Sequence, residues 1–241
     1  MAAACRRSLA RLRLDYLDLY LVHWPIDWRK GTAFCPGTTS MAQCWRAMEA
    51  LVDQGLVRAI GVSNFDESQL RALVAGVHTR ILPAVNQVEL HPLNQQPALL
   101  AACREMGVVL TAWSPLGKGA AGILTHPTLM RVAAAHGAGW TAADVALRWN
   151  AQRGVVIIPK STSTAHLARN LSAVDGSWRL TDTEMDAIAA ADEGRRRVPD
   201  FIGVWPTTSR AAAVVFGRVL ALLARAVFAV VPNTLDMQAR Q

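Results

Sequence analysis

The sequence has few of the residues that build covalent, metal-bound or strongly basic sites. Its four cysteines fall at irregular spacing without a Cys-x-x-Cys pair, which argues against a disulfide framework and against a metal site. Only three of the 25 basic residues are lysines, and the arginines are spread along the chain. Because the net charge of +7 forms no basic stripe, we predict no nucleic-acid partner.

Length and composition are those of a globular protein. The 241 residues are 52% hydrophobic, enough for one domain with a large core or for two small ones. The opening segment is basic and has no acidic residue before Asp15. It suits either an organelle transit peptide or a helix with apolar positions at Leu9, Leu12 and Leu14. We favour the helix and predict a cytoplasmic protein.

Short apolar runs recur along the chain, and each is followed by a polar turn and a helical pattern. They span 17–22, 57–62, 84–88, 108–113 and 155–158. Runs that are apolar on both faces and separated by helices are typical of buried parallel strands. The pattern predicts a parallel α/β fold, and leaves both a barrel and a doubly wound sheet open.

Helix boundaries are marked by local signals. Ser40 is placed to cap a helix that runs to Gln54 before Gly55, and residues 95–106 end at Gly107. Two further helices are predicted to begin at capping boxes. These boxes pair Thr141 with Asp144 and Thr181 with Glu184.

Residues 207–241 form a second, atypical segment that we predict to be helical, after a first domain over 1–206. Residues 211–231 are almost continuously apolar, apart from Arg218 and Arg225 on one helical face. Three interpretations remain for this run: a core or interface helix, a helix on a membrane surface, or a membrane span made costly by the arginines.

Polar residues cluster just after the predicted strands. Lone residues of this kind are usually helix caps, but the carboxyl ends of parallel strands lie at one face, where α/β proteins bind ligands. Their concurrence therefore predicts a site. The residues are His23, Ser63, Asn64, Gln87, Glu89, Ser114, Lys160 and Ser161.

Five motifs lie on these strands and turns, in the order DYLDLYLVHWP, GVSNF, NQVELHP, WSPLG and IPKS. Together they resemble the aldo-keto reductase family over about residues 6–193. The resemblance implies a parallel (β/α)8 barrel of the TIM type. It also implies NADP(H) as the cofactor, reduction of a small-molecule aldehyde or ketone to an alcohol, and a monomer when the chain is full length.

The resemblance assigns roles to individual residues. His23 corresponds to the histidine that polarises the substrate carbonyl, and His91 to a position used in structure. Ser63, Asn64 and Gln87 correspond to the residues that hold the nicotinamide carboxamide. Trp113 takes the place of a stacking aromatic that is usually tyrosine. Ser114 and Leu116 are further cofactor-binding positions.

The segment implied to bind the adenosine 2′-phosphate matches the family only in part. Lys160, Ser161 and Asn170 match, but His166 stands where an arginine is frequent, and Arg169 stands at an acidic position. A neutral imidazole is a weaker phosphate ligand than a guanidinium fork. We therefore expect weaker discrimination for NADP(H), with Arg169 able to compensate by reaching the phosphate.

The family's catalytic aspartate, tyrosine and lysine lie on three strands that would precede this sequence, and none has a counterpart here. The two tyrosines, Tyr16 and Tyr20, both precede His23. We therefore expect an incomplete barrel of about five βα units and a chain that lacks the proton donor. The functional prediction is an NADPH-dependent carbonyl reductase by family, and the alternative is a non-catalytic NADP(H)-binding or regulatory fragment.

Overall fold

The structure is a computed structural model that describes residues 1–27, 32–33, 41–119 and 122–194. The helices are α1 (Ala2–Leu12), α2 (Met41–Asp53), α3 (Glu67–Val74), α4 (Pro97–Glu105), α5 (Pro127–Ala135), α6 (Ala142–Gln152), α7 (Thr164–Ser172) and α8 (Asp182–Ala189). The strands are β1 (Leu17–Val22), β2 (Ile26–Asp27), β3 (Thr32–Ala33), β4 (Val57–Ser63), β5 (Val85–Glu89), β6 (Val109–Trp113) and β7 (Val156–Ile158).

The described residues fall into two compact units. The first comprises residues 1–62 and 70–83, and the second comprises 63–69 and 84–194. All five predicted strands are present, and three of them begin one residue later than the apolar runs suggest. Helices alternate with these strands, which confirms the predicted parallel α/β fold.

A parallel strand pair organises the first unit. In β1 and β4, Leu17 lies opposite Val57 and Val22 lies opposite Val62. Parallel neighbours need a long crossover connection, and α2 lies within the one that joins these strands. This arrangement follows directly from the two apolar runs and the helical pattern between them.

Helix α1 leads straight into β1. Cys5 and Leu9 are buried on one face of the helix, as expected when apolar side chains recur at helical spacing. The helix stops at Arg13, whose left-handed backbone lets its N–H bond to the carbonyls of Ala10 and Leu9. The helical interpretation of the basic opening segment is thus confirmed.

A buried carboxylate anchors the chain that follows α3. Glu49 on α2 is 4% exposed, and one of its oxygens accepts the backbone N–H groups of Arg80 and Ile81 at 2.7 and 2.8 Å. The indole N–H of Trp45 donates to the carbonyl of Ile81 at 2.8 Å. These three bonds satisfy backbone groups that would otherwise lose water when buried.

Three parallel strands form the sheet of the second unit. Val85 and Glu89 of β5 lie opposite Val109 and Trp113 of β6, and Trp113 in turn lies opposite Ile158 of β7. The strand ends Glu89, Trp113 and Ile158 therefore lie in one row. Any residue just beyond them starts from the same edge of the sheet.

Both predicted capping boxes are present in the second unit. The carboxylate of Asp144 accepts the backbone N–H of Thr141 at 2.8 Å, at the start of α6. Glu184 accepts the N–H of Thr181 in the same way at 2.8 Å, at the start of α8. These bonds satisfy donors that a helix N-terminus leaves unpaired.

Gln95 joins the turn after β5 to the end of α8. Its side-chain amide donates to the carbonyls of Pro92 and Ile188, both at 2.7 Å. Its backbone N–H donates to Asp192 at 3.2 Å, and its carbonyl accepts from Arg153 at 3.1 Å. One buried residue therefore ties three separate stretches of the second unit together.

Several predictions lie outside the described residues. They concern the cap at Ser40, the domain boundary after residue 206 and the helix over 211–231. Within the described ranges, none of the helices has the length and apolar character needed to cross a bilayer.

Replacing Gln95 tests the importance of this junction. We expect Gln95→Met, which keeps the size but removes both amide donors, to lower the free energy of unfolding by about 1–3 kcal/mol. Urea denaturation measures the loss, and amide hydrogen exchange should quicken in α8. Gln54→Met, at an exposed glutamine that accepts from Arg6, is the control and should change little. An unchanged exchange rate in α8 would contradict the assignment.

Candidate functional site

Most of the predicted site residues belong to the second unit and follow its strand ends. Ser63 ends β4, Gln87 lies within β5 and Trp113 ends β6. Asn64 and Ser114 come next along the chain after β4 and β6, and Lys160 and Ser161 follow β7. Sequence reasoning therefore placed these residues correctly at or just beyond the carboxyl ends of strands, except for Gln87, which lies two residues before the end of β5.

Ser63, Asn64 and Gln87 form a hydrogen-bonded group. The hydroxyl of Ser63 donates to the backbone carbonyl of Gln87 at 2.6 Å, and the backbone N–H of Asn64 donates to the same carbonyl at 3.0 Å. The side-chain amide of Asn64 donates to Ser63 Oγ at 3.1 Å. The structure thus joins Ser63 and Asn64 to the backbone of Gln87, whose side-chain amide takes no part in these bonds.

Trp113 belongs to the same group. Its indole N–H donates to Oδ1 of Asn64 at 3.0 Å, and the residue is half-buried. Sequence reasoning predicted a stacking ring here but not this bond. The only available signal was the presence of tryptophan, whose ring carries a donor on its edge.

The backbone is left-handed at two of these residues. Asn64 has φ of 62° and Ser114 has φ of 51°, a region that residues other than glycine seldom occupy and that asparagine tolerates best. Such conformations cost on the order of 1–3 kcal/mol and cluster at binding sites. Their position directly after the ends of β4 and β6 supports a functional role for the residues just beyond these strands.

The turn that starts at Ser114 is tight. The carbonyl of Ser114 accepts the N–H of Gly117 at 2.8 Å, and that of Leu116 accepts the N–H of Gly119 at 3.0 Å. Gly117, Lys118 and Gly119 all have positive φ. The two bonds satisfy backbone groups within the turn and fix its path just beyond the end of β6.

Lys160 and Ser161 lead into α7. Lys160 is exposed, and the hydroxyl of Ser161 accepts the backbone N–H of Ser163 at 3.1 Å. Ser163 caps α7 by accepting the N–H of His166 at 3.4 Å. An ammonium group, four hydroxyls and a helix start lie within residues 160–166, a combination suited to a phosphate.

Arg169 has a partner of its own. Its guanidinium bonds to both oxygens of Asp144, at 2.8 Å from Nε and 2.6 Å from Nη2, and Nη2 also donates to the carbonyl of Gly139. The expectation that Arg169 reaches a 2′-phosphate stays a prediction, but it requires this ion pair to open. Asn170 lies beside it on α7, half-buried.

The ion pair controls the ionisation of Asp144. Burial of this carboxyl, which is 2% exposed, disfavours the charged form, yet hydrogen bonds from Arg169 and Thr141 outweigh burial and lower its pKa. Asp144 is therefore ionised at neutral pH, and it serves the cap of α6 and the ion pair together.

His23 lies in the first unit, directly after Val22 ends β1. The residue is exposed as a whole, while burial at the ring lowers the pKa of its imidazole. The neutral form therefore predominates at physiological pH. A neutral imidazole carries one N–H donor and one acceptor nitrogen.

Neither tyrosine occupies a strand end. Tyr16 precedes β1, and the guanidinium of Arg58 lies over its ring at 3.9 Å. Tyr20 lies within β1, where burial raises the pKa of its hydroxyl despite a hydrogen bond with Ser8 of α1. Both phenols therefore precede the end of β1 and His23, as the sequence predicts.

Two buried titratable groups lie near the site without entering it. Glu89 and His91 are 4% and 0% exposed, and Nε2 of His91 is 3.5 Å from Oε1 of Glu89. This full burial agrees with the structural role expected for His91. Among the described residues, no cluster of three His, Cys, Asp or Glu side chains is placed to hold a metal ion.

Removing the charge of Asp144 tests the ion pair. Breaking a buried pair costs about 3–5 kcal/mol, but Arg169 is 40% exposed, so we expect Asp144→Asn to lower the free energy of unfolding by about 1–2 kcal/mol. Because the folded-state pKa of Asp144 is depressed, its stabilisation is present above the unfolded pKa of about 3.9 and is lost as the pH falls. Urea denaturation from pH 7 to pH 3 measures both effects.

The exposed pair between Asp18 and Arg58, with side chains 78% and 64% exposed, provides the control. Asp18→Asn should change stability little at any pH, because water and salt screen such pairs. An Asp144→Asn variant that loses stability in acid as steeply as the unmodified chain would contradict the role given to this ion pair.

Comparison with known proteins identifies the fold. A solved structure of an aldo-keto reductase enzyme from a Medee basin deep-sea metagenome library superimposes with a TM-score of 0.73 at 32% identity, covering 85% of this chain and 70% of that one. The parallel (β/α)8 barrel type is therefore confirmed over the alternative of a doubly wound sheet, with five of its strands among the described residues.

Sequence comparison agrees. The Aldo/keto reductase family profile matches residues 1–193. Aldose reductase B of Dictyostelium discoideum is 40% identical over 206 residues, and morphine 6-dehydrogenase of Pseudomonas putida is 42% identical over 205. Each alignment covers 80% of this chain and only 64% of the relative. The profile, the relatives and the fold together show that this chain belongs to the aldo-keto reductase family of oxidoreductases.

Proposed function

We propose that the chain binds NADP(H) and serves the reduction of an aldehyde or ketone to an alcohol. The observation that carries the proposal is the bonded group of Ser63, Asn64, Gln87 and Trp113 at the strand ends. It combines hydroxyl and amide groups with a half-exposed ring, which are the groups that a flat ring bearing a carboxamide requires.

Each residue has a defined task in the proposed reaction. When bound, the cofactor supplies the hydride. Asn64 and Gln87 hold the carboxamide, and Trp113 contributes its ring face. Lys160 and Ser161 offer a cation and a hydroxyl to the 2′-phosphate. His23, neutral at physiological pH, donates its N–H to the substrate oxygen and stabilises the negative charge that develops there.

The proposed reaction also needs a general acid. The described tyrosines lie elsewhere, and general acid catalysis contributes about 10²–10⁴-fold. We propose that an aspartate, a tyrosine and a lysine from a segment outside this sequence complete the site. The location of both phenols upstream of His23 favours a second candidate function for the chain alone, which is NADP(H) binding without turnover.

Calorimetric titration with NADPH and rate measurements on this chain test both candidates. Binding with turnover of simple aldehydes supports the reductase, and binding without turnover supports the second function. If NADPH at millimolar concentration produces no binding heat, both are wrong. We further propose a cytoplasmic protein, monomeric when full length, that acts on a small-molecule carbonyl and has no nucleic-acid partner. Membrane contact through 211–231 is left to a vesicle-binding test.

Cofactor preference provides a finer prediction at the phosphate end. We expect His166→Arg to raise the ratio of NADPH to NADH affinity about tenfold, because a charged hydrogen bond to phosphate is worth roughly 1.5–3 kcal/mol. Titration of both cofactors measures this ratio. His166→Gln adds a polar side chain without charge and is the control. An equal gain for both cofactors would contradict the placement of the 2′-phosphate here.

A further inference from the structure

We propose that Trp113 is a positioning residue that fixes the orientation of the Asn64 side-chain amide. This orientation in turn determines how the site binds the nicotinamide carboxamide. The inference rests on the proposed function and adds to it a role for the indole edge that is separate from stacking by the indole face. It depends on the bonds that join four residues of the second unit.

These bonds form a directed chain. The indole N–H of Trp113 donates to Oδ1 of Asn64 at 3.0 Å, and Nδ2 of Asn64 donates to Oγ of Ser63 at 3.1 Å. The hydroxyl of Ser63 then donates to the carbonyl of Gln87 at 2.6 Å. Every donor points the same way along the chain, an arrangement in which neighbouring bonds strengthen one another.

The direction of the chain allows one orientation of the Asn64 amide. If the amide rotated by a half turn, Nδ2 would face the indole N–H, and two donors would oppose each other. The oxygen would then face Ser63, whose proton is already directed to Gln87. An indole can only donate, so Trp113 is the group that excludes the rotated amide.

Backbone contacts hold both Trp113 and Asn64. Trp113 is the last residue of β6 and lies in register with Glu89 and Ile158 on its two sides. Its carbonyl also accepts the N–H of Leu90 at 3.4 Å. Asn64 is fixed by its own N–H, which donates to Gln87 at 3.0 Å. The orientation is therefore set before a ligand arrives, which reduces the cost of binding.

The edge and the face of the indole have separate tasks. The N–H lies on the edge of the ring, whereas the half-buried ring retains exposed surface for contact with a flat ligand. Phenylalanine would keep an aromatic face and lose the donor. The two roles can therefore be separated by one substitution.

The test compares NADPH with its 3-acetylpyridine analogue, in which a methyl group replaces the amide nitrogen. Calorimetric titration gives the affinity ratio of the two cofactors for the unmodified chain and for Trp113→Phe. We expect the ratio to fall about threefold to tenfold in the variant, since the orientation of one hydrogen-bonding group is lost. The affinity for adenosine 2′,5′-bisphosphate, which lacks the nicotinamide, should stay unchanged.

Trp140→Phe is the matched control, because the ring of Trp140 packs at a tilt against that of Trp178, with centroids 4.3 Å apart, and takes no part in the chain of bonds. It should leave the ratio unchanged. If Trp113→Phe fails to fold by circular dichroism, Trp113→Met decides, since its side chain carries no hydrogen-bond donor and should lower the ratio equally. If the folded variant keeps the affinity ratio of the unmodified chain, the inference is wrong while the proposed function stands. Absence of binding to the unmodified chain overturns the proposed function as well.

Discussion

The parallel ladder of β5, β6 and β7 is the constraint on which the second unit depends. Each strand must return to the same end of the sheet before it pairs, so the helices between them are obligatory and the carboxyl ends coincide. Glu89, Trp113 and Ile158 consequently lie in one row. Residues just beyond such a row are held in place by the sheet, whereas residues of a site on free loops would be held less rigidly.

Local signals explain why much of the fold was predictable. The apolar runs gave the five strands to within one or two residues, and the two capping boxes correctly marked the starts of α6 and α8. Both signals depend on residues a few positions apart. The candidate site was predictable to the extent that strand ends and the family motifs located it.

The remaining features depend on residues that are distant in sequence. Gln95 bonds to Ile188, 93 residues further along the chain, and Trp113 bonds to Asn64 across 49 residues. Asp144 makes one contact of each kind. Its capping bond at the start of α6 was predictable from sequence, whereas its ion pair with Arg169, 25 residues away, was not. No periodicity or spacing rule reports such contacts, because only the folded chain brings them together.

The left-handed backbone at Asn64 has a consequence for the evolution of the site. Side chains branched at Cβ are excluded there by steric clash, and glycine would fit the backbone but supply no amide. Aspartate would tolerate the conformation, yet it could not donate to Ser63. The backbone conformation and the hydrogen bonds thus restrict independently which residues can replace Asn64. Asparagine is the residue that meets both restrictions, so drift at this position should be slower than at the exposed helical positions of the same unit.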